Sequence, residues 1–315
     1  MTIRTLLATL VGATLCAPAA LATDIVIGSS SPGGSYNLYA GGLAAYLTEN
    51  VEGVDATART TRGSVENVRL LDRGDLDFAF ANGTVLAQQK AGEFQFSDAQ
   101  SDKIRGIALI DLSPTHWVTS ADSPIEAPVD LAGKRVSIGA AGSGGANTAM
   151  MVLDTLELPE PVQVQNLGFS ESANNLRDGN LEAFAGGSAL PMPAVVDLST
   201  TQDIRLLTFD EAFLEKLQER APAMERAVIP AGTYRGVDTD IITMGNPSTL
   251  ITREDMDEEI VYQLAKALIT DENKEYMRAV YNAWEPEPAP GLWKRIGVPL
   301  HPGAERAYRE AGLIE

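Results

Sequence analysis

The sequence predicts an α/β protein of two similar lobes with a ligand cleft between them. Three observations carry this. A strand, a glycine-rich loop and a helix follow one another in that order twice along the chain. The 315 residues leave room for about two domains at roughly 150 residues each. A composition of 44% hydrophobic and 21% charged residues is that of an ordinary globular chain, which excludes a disordered protein and a multi-span membrane protein.

The chain opens with Arg4, a mostly apolar stretch from Leu6 to Ala20, and the small-x-small triplet Ala20-Leu21-Ala22. This is the pattern of a secretory signal peptide, residues 1–22, cleaved after Ala22. The stretch is shorter than the ~20 apolar residues a spanning helix needs. Leu15, ahead of Cys16, is not the small residue that lipid attachment requires, so a soluble exported product is expected. Cys16 is the only cysteine and leaves with the signal, which excludes disulfides, thiolate catalysis and Cys-zinc sites from the mature chain.

The first copy of the duplicated pattern is the strand Asp24–Gly28, the loop Ser29–Ser35 and a helix from Tyr36 to Leu47. Downstream come Leu71-Asp72-Arg73-Gly74-Asp75-Leu76-Asp77, the strand Phe78–Ala81 and the turn Asn82-Gly83-Thr84. The second copy is the strand Lys134–Gly139, the loop Ala140–Gly145 and a helix from Ala146 to Leu156, followed by Leu176–Glu182, Ala183–Ala185 and Gly186-Gly187-Ser188. In each copy a glycine ends a helix, as a C′ residue at positive φ does, and an acid stands just before a strand. Further on, the acidic run Glu254–Glu259 is the first turn of a helix Ile260–Ile269. Glu285–Pro290 forms a stiff connector, and His301-Pro302-Gly303 starts a last helix, Ala304–Ala311. Trp117, Trp284 and Trp293 belong to core packing, and His116 is a structural imidazole near the first crossover. Lobe one is expected to combine residues 23–117 with 242–315, and lobe two to span 118–241.

Several functions are excluded or left unsupported. Lys+Arg 24 against Asp+Glu 43, a net charge of −19, repels nucleic acid and anionic lipid. His116 and His301 are the only imidazoles and lie far apart in the chain, so no His-pair metal site is expected. Gly33-Gly34-Ser35-Tyr36-Asn37 and Gly186-Gly187-Ser188-Ala189-Leu190 each lack the closing glycine of a nucleophile elbow. Gly142-x-Gly144 meets Asn147 where a dinucleotide loop needs its third glycine, and no Walker lysine follows. No catalytic residue, metal or cofactor is assigned.

Two glycine loops at strand ends and helix N-termini instead suit an anion in the cleft between lobes. Each helix end contributes about 0.3–1 kcal/mol, rising to ~2 when partly buried. The candidate binding residues are Gly33, Gly34, Ser35, Tyr36, Arg62, Gly63, Ser64 and Asn82 from the first lobe with Ser143, Gly144, Gly145 and Ser188 from the second. Ser64 is expected to cap the helix running through Asn67 to Leu71. Arg62 beside it offers a planar fork to a carboxylate, or else points to solvent and pairs with Glu66. The first alternative implies a ligand with two carboxylates, or one carboxylate and a strong acceptor. Read alone, either loop is equally a tight strand-to-helix turn.

Gly33-Gly34-Ser35-Tyr36, Gly63-Ser64-Val65-Glu66-Asn67, Leu131-Ala132-Gly133-Lys134-Arg135-Val136, Gly142-Ser143-Gly144, Ile229-Pro230-Ala231-Gly232-Thr233-Tyr234 and Pro299-Leu300-His301-Pro302-Gly303-Ala304-Glu305 together resemble the TAXI proteins. These are the solute-binding receptors of one class of TRAP transporter. The resemblance implies a type II periplasmic-binding-protein fold and a periplasmic receptor, and a monomer is expected. It also implies a small carboxylate ligand, glutamate or a 2-oxoglutarate-like dicarboxylate, delivered to TRAP-type membrane permease subunits. The chain departs from the family pattern at Gly145, where Thr is common, at Asn82-Gly83, where Gln-Ser is usual, and at Arg62, often Gly. Two other readings of the same fold stay open: a receptor that reports to a membrane kinase, and an enzyme that uses a cleft carboxylate or histidine.

Overall fold

A computed structural model describes residues 23–315; the expected signal peptide and Cys16 lie outside the described residues. The chain folds as β1 (Thr23–Gly28), α1 (Ser35–Asn50), β2 (Val54–Arg59), α2 (Ser64–Asp72), β3 (Phe78–Asn82), α3 (Gly83–Ala91) and the long strand β4 (Ile104–Ser120). It continues with β5 (Arg135–Ser137), α4 (Gly144–Leu156), β6 (Gln163–Gln165), α5 (Phe169–Arg177), β7 (Ala183–Gly187), α6 (Pro193–Thr201), β8 (Ile204–Leu206), α7 (Glu211–Arg220) and β9 (Glu225–Ile229). A second long strand, β10 (Ile241–Arg253), returns to the first lobe, which ends with α8 (Glu258–Leu268), α9 (Asp271–Val280), α10 (Pro290–Ile296) and α11 (Pro302–Glu310). No described helix is long and apolar enough to cross a membrane.

The strands run in the order β2-β1-β3-β10-β4-β7-β5-β6, with β8 on β4 and β9 on β10. β1 lies parallel to β2 and β3, and β5 parallel to β6 and β7, as strands joined by helical crossovers must. β4 is shared between the lobes: Ile104–Pro114 pairs with β10, and Thr115–Ser120 pairs with β7 and β8. β10 likewise pairs with β9 through Ile241–Gly245 and with β3 through Ser248–Thr252. The result is two α/β lobes joined by two continuous strands.

Period-two alternation sorts each central strand between two helical layers. Phe78 and Phe80 of β3 pack on α1, α8, α9 and α11, with Tyr39, Leu264, Met277, Trp284 and Tyr308. Ala79 and Ala81 of the same strand face α2, α3 and α10, with Val68, Leu71, Leu86 and Trp293. In the second lobe Ala183 and Ala185 of β7 meet α4 and α7, while Phe184 meets α5 and α6. All three tryptophans are core residues, as expected. Trp293 explains Gly106, where a Cβ would lie 2.6 Å from the indole.

The duplication carries a repeated hydrogen bond. Asp77, just before β3, accepts the N–H of Val26 in β1 at 2.8 Å, and Glu182, just before β7, accepts the N–H of Arg135 in β5 at 2.8 Å. Both acids therefore lock the start of their strand to its neighbour. Gly74 and Gly179 end the preceding helices at φ +76° and +75°, as expected of C′ glycines. The expected helix starts move by a turn or less. α4 begins at Gly144 because Ser143 caps it, its Oγ accepting from Ala146 N at 2.9 Å. α11 begins at Pro302, with His301 as N-cap accepting from Gly303 N through Nδ1. The acids Glu258 and Glu259 fill the first turn of α8 behind the cap Asp257.

Candidate functional site

The carboxyl ends of β1, β3, β5 and β7 face one another across the lobe boundary, and α1, α2, α3 and α4 start there. Between them is a cavity with about 510 Å³ of empty space, including the part open to solvent. Gly34, Ser35, Tyr36, Arg62, Gly63, Ser64 and Asn82 line it from the first lobe, and Ser143, Gly144 and Gly145 from the second. Two candidates stand behind this lining. Ser188 accepts the backbone N–H of Ser35 at 3.1 Å, and Ser35 Oγ accepts from Ala189 N at 3.3 Å, a reciprocal clasp between lobes. Gly33 packs on the second lobe, its carbonyl accepting from Ala194 N and its Cα facing Ser170.

The expected role of Ser64 is corrected. The N-cap position of α2 falls on Gly63, at φ +113° and without a side-chain cap. Ser64 is the first helical residue, and its Oγ accepts the N–H of Asn82 at 3.1 Å, tying α2 to the end of β3. Asn82 in turn caps α3 by accepting from Val85 N at 2.8 Å. The alternative pairing of Arg62 with Glu66 takes a different form. A Glu66 carboxylate oxygen accepts the backbone N–H of Arg62 at 2.7 Å, and among the described residues no carboxylate lies within 4.0 Å of the Arg62 guanidinium. Arg62 is exposed and is the only charged side chain among the described lining residues.

Other lining residues were not read from the sequence. Ser113 and Thr115 come from β4 and Asn246 from β10. Asn246 joins the lobes directly: its Oδ1 accepts from Thr84 at the start of α3, and its Nδ2 donates to Thr148 of α4 at 3.0 Å. Ser30, Thr148, Phe169 and Gly187 complete the wall. Under its floor, Ser113 Oγ donates to Asp111 Oδ1 at 2.7 Å and lies 2.7 Å from Ser248 Oγ, while Tyr39 donates to Asp111 Oδ2 at 2.9 Å. Burial pushes the Asp111 carboxyl up to about 6 against these donated bonds. Burial also raises the Tyr36 phenol well above its usual range, so Tyr36 is a neutral hydroxyl at the wall.

His116 is structural, as expected. Tyr234 Oη accepts from Met192 N at 2.7 Å, so its own proton goes to His116 Nε2, 2.6 Å away, and His116 Nδ1–H donates to the Pro114 carbonyl. Buried in this arrangement, the imidazole is held neutral, its pKa pushed down to about 4.

The lobes are shut around the cavity. Glu66 N donates to Gly142 O at 3.2 Å, and Asn147 Nδ2 to Gln88 Oε1 at 2.8 Å. The tightest approach is at Gly144, where a Cβ would lie 2.4 Å from Asn82 Nδ2 and 2.5 Å from Ser64 Oγ.

The profile of the NMT1-like family matches residues 27–312. The chain belongs to the NMT1-like family. Among solved structures this NMT1-like chain is similar to the periplasmic binding protein BugD, with a TM-score of 0.57 and 11% identity over 92% of this chain and 98% of that one. It is similar to XAC2383 from Xanthomonas citri bound to ATP, with a TM-score of 0.54 and 12% identity over 93% and 99%. A third likeness is to the aliphatic sulphonate binding protein SsuA from Escherichia coli, with a TM-score of 0.51 and 16% identity over 91% and 82%. The NMT1-like chain thus shares the two-lobe α/β fold of periplasmic binding proteins, with its cavity between the lobes.

Proposed function

We propose that the chain is an extracytoplasmic solute-binding receptor of a TAXI-type TRAP transporter. It holds a small carboxylate, such as glutamate, 2-oxoglutarate or a similar dicarboxylate, between its lobes and delivers it to a membrane permease. In this reading the chain is exported to the periplasm, works as a monomer, and divides into lobes 23–117 plus 242–315 and 118–241. The observation that carries it is the cavity itself. It is bounded by the starts of α1, α2 and α4, and among the described residues Arg62, with no carboxylate at its guanidinium, is the one charge in its lining. Neither α1 nor α4 has an acid in its first turn. Glu66 of α2 is turned onto a backbone N–H. Helix N–H groups and Arg then act on an anion together.

Among the described residues the lining has neither an imidazole nor a carboxylate, which favours holding a solute over acid–base chemistry on it. An aliphatic sulfonate is the second reading, because the same helix ends and Arg62 suit a sulfonate head and SsuA is named for that ligand class. A thermal-shift screen of dicarboxylates, acidic amino acids, monocarboxylates and alkanesulfonates separates the two. A true ligand at 100 times its Kd adds about 2.7 kcal/mol to native stability. Small-angle scattering tests the delivery cycle, since the protein should be more compact with that ligand than without it. A screen in which no acid shifts the transition refutes the receptor reading.

A further inference from the structure

Three glycines from separate parts of the chain leave space for one side chain. A Cβ on Gly34, the N-cap of α1, would lie 2.8 Å from Phe169 Cε2. One on Gly186 of β7 would lie 2.6 Å from Cε1, and one on Gly145 of α4 would lie 3.6 Å from Cζ. The outer edge of the Phe169 ring is thus seated among glycines of both lobes. The ring belongs to the first residue of α5, is 7% exposed and lines the cavity. It lies beside the starts of α1 and α4, where an anion is expected, and it has no hydrogen-bonding group to offer one. Apart from Tyr36, the other lining residues are glycines, short hydroxyl or amide side chains and Arg62. A glycine cradle would otherwise leave this end of the cavity open; the ring fills it.

We infer that Phe169 is the specificity-determining residue of the cavity, setting how long a ligand the closed lobes accept. The inference rests on the reading of the cavity as the site for a small acid. Its consequence is a short carbon chain that runs against the ring edge and stops there.

The test uses the unbranched α,ω-dicarboxylates of three to eight carbons, titrated by calorimetry into the wild-type protein, Phe169→Ala and Phe169→Leu. In the wild type, affinity reaches an optimum and falls for longer acids. In Phe169→Ala the optimum moves at least two methylenes longer, with each added methylene in the vacated space tightening binding about fourfold. Phe169→Leu, which keeps a large apolar side chain in the core, falls between. An unchanged optimum in both variants overturns the proposal while leaving the acid reading intact. No binding of any acid by any of the three proteins removes the acid reading, and this proposal with it. Ring placement is checked without ligand. Gly186→Ala should lower the unfolding temperature in the wild type and do so far less in the Phe169→Ala background. Equal effects in both backgrounds overturn the proposal, whatever binds.

Discussion

Replacing Gly144 by alanine should hold the lobes apart without harming either of them. The new Cβ would meet Asn82 Nδ2 at 2.4 Å, Ser64 Oγ at 2.5 Å and Ser64 Cβ at 2.9 Å, all across the lobe boundary. Neither partner can easily retreat, because Asn82 is fixed by capping α3 and Ser64 by the N–H of Asn82. Overpacking of this kind costs about 1–3 kcal/mol, and here the closed state bears all of it. A ligand that binds only the closed state therefore weakens by roughly 5- to 150-fold. The adjacent Gly145→Ala is the matched control. Its nearest neighbour is Phe169 Cζ at 3.6 Å, an ordinary contact, so a methyl group there fits without overpacking. Calorimetry with the tightest acid of the screen, scattering with and without it, and thermal unfolding of the ligand-free proteins supply the readouts. Wild-type affinity and compaction in Gly144→Ala would refute the reasoning. So would a large loss of ligand-free stability, which would place the role of Gly144 inside the second lobe.

Arg62→Ala should weaken a dicarboxylate by roughly 10- to 150-fold, the worth of a charge-assisted hydrogen bond of about 1.5–3 kcal/mol, while hardly changing a monocarboxylate. Equal losses for both, or none, would show that Arg62 is not a clamp. Asp111, raised from 3.8 to about 6, binds its proton more tightly folded than unfolded, so its contribution to stability falls as pH rises from about 4 to about 6. Asp111→Asn should remove that fall, gaining roughly 2 kcal/mol at pH 7 relative to pH 4, and urea unfolding with the same gain at both pH values would refute it. His116, lowered from 6.5 to about 4, works in the opposite direction, since stability is lost as pH drops through that window. His116→Gln should flatten the acid side of the stability profile, and a profile as steep as the wild type's would show that another group titrates.

The duplicated pattern was legible because it rests on backbone demands that few residues meet. Gly74 and Gly179 stand where φ is positive, and Asp77 and Glu182 stand where a strand's first N–H needs an acceptor. The glycine and serine loops were legible for the same reason, and most of them reach the cavity. Ser113, Thr115 and Asn246 were not, because they lie within β4 and β10, and nothing local to a strand shows which stretch of it passes a cleft. Ser64 was misplaced by one residue of register, enough to turn a cap into a bond to Asn82. Phe169 reads as an ordinary apolar helix residue. Its place at the cavity depends on Gly145 and Gly186, brought beside it by the fold of the second lobe, and on Gly34, which reaches it only when the lobes meet.

The Gly34 contact depends on closure, and closure bears on how so acidic a chain would hold the proposed anion. A net charge of −19 works against the encounter, yet salt screens exposed charges over about 8–10 Å, so the local groups decide. In an open cleft those groups are weak, because water competes for every helix N–H. Shutting the lobes expels that water from the helix ends, and the same N–H groups then act at a lower effective dielectric, while Arg62 stays exposed. Strong binding and closure are therefore one event. The contacts that join the lobes, Ser35 with Ser188, Glu66 with Gly142 and Asn246 with Thr148, need no charge to do so. On the receptor reading proposed above, a closed surface would reach the permease only when the cavity is loaded, and the close approach at Gly144 is where a single methyl group should uncouple binding from closure.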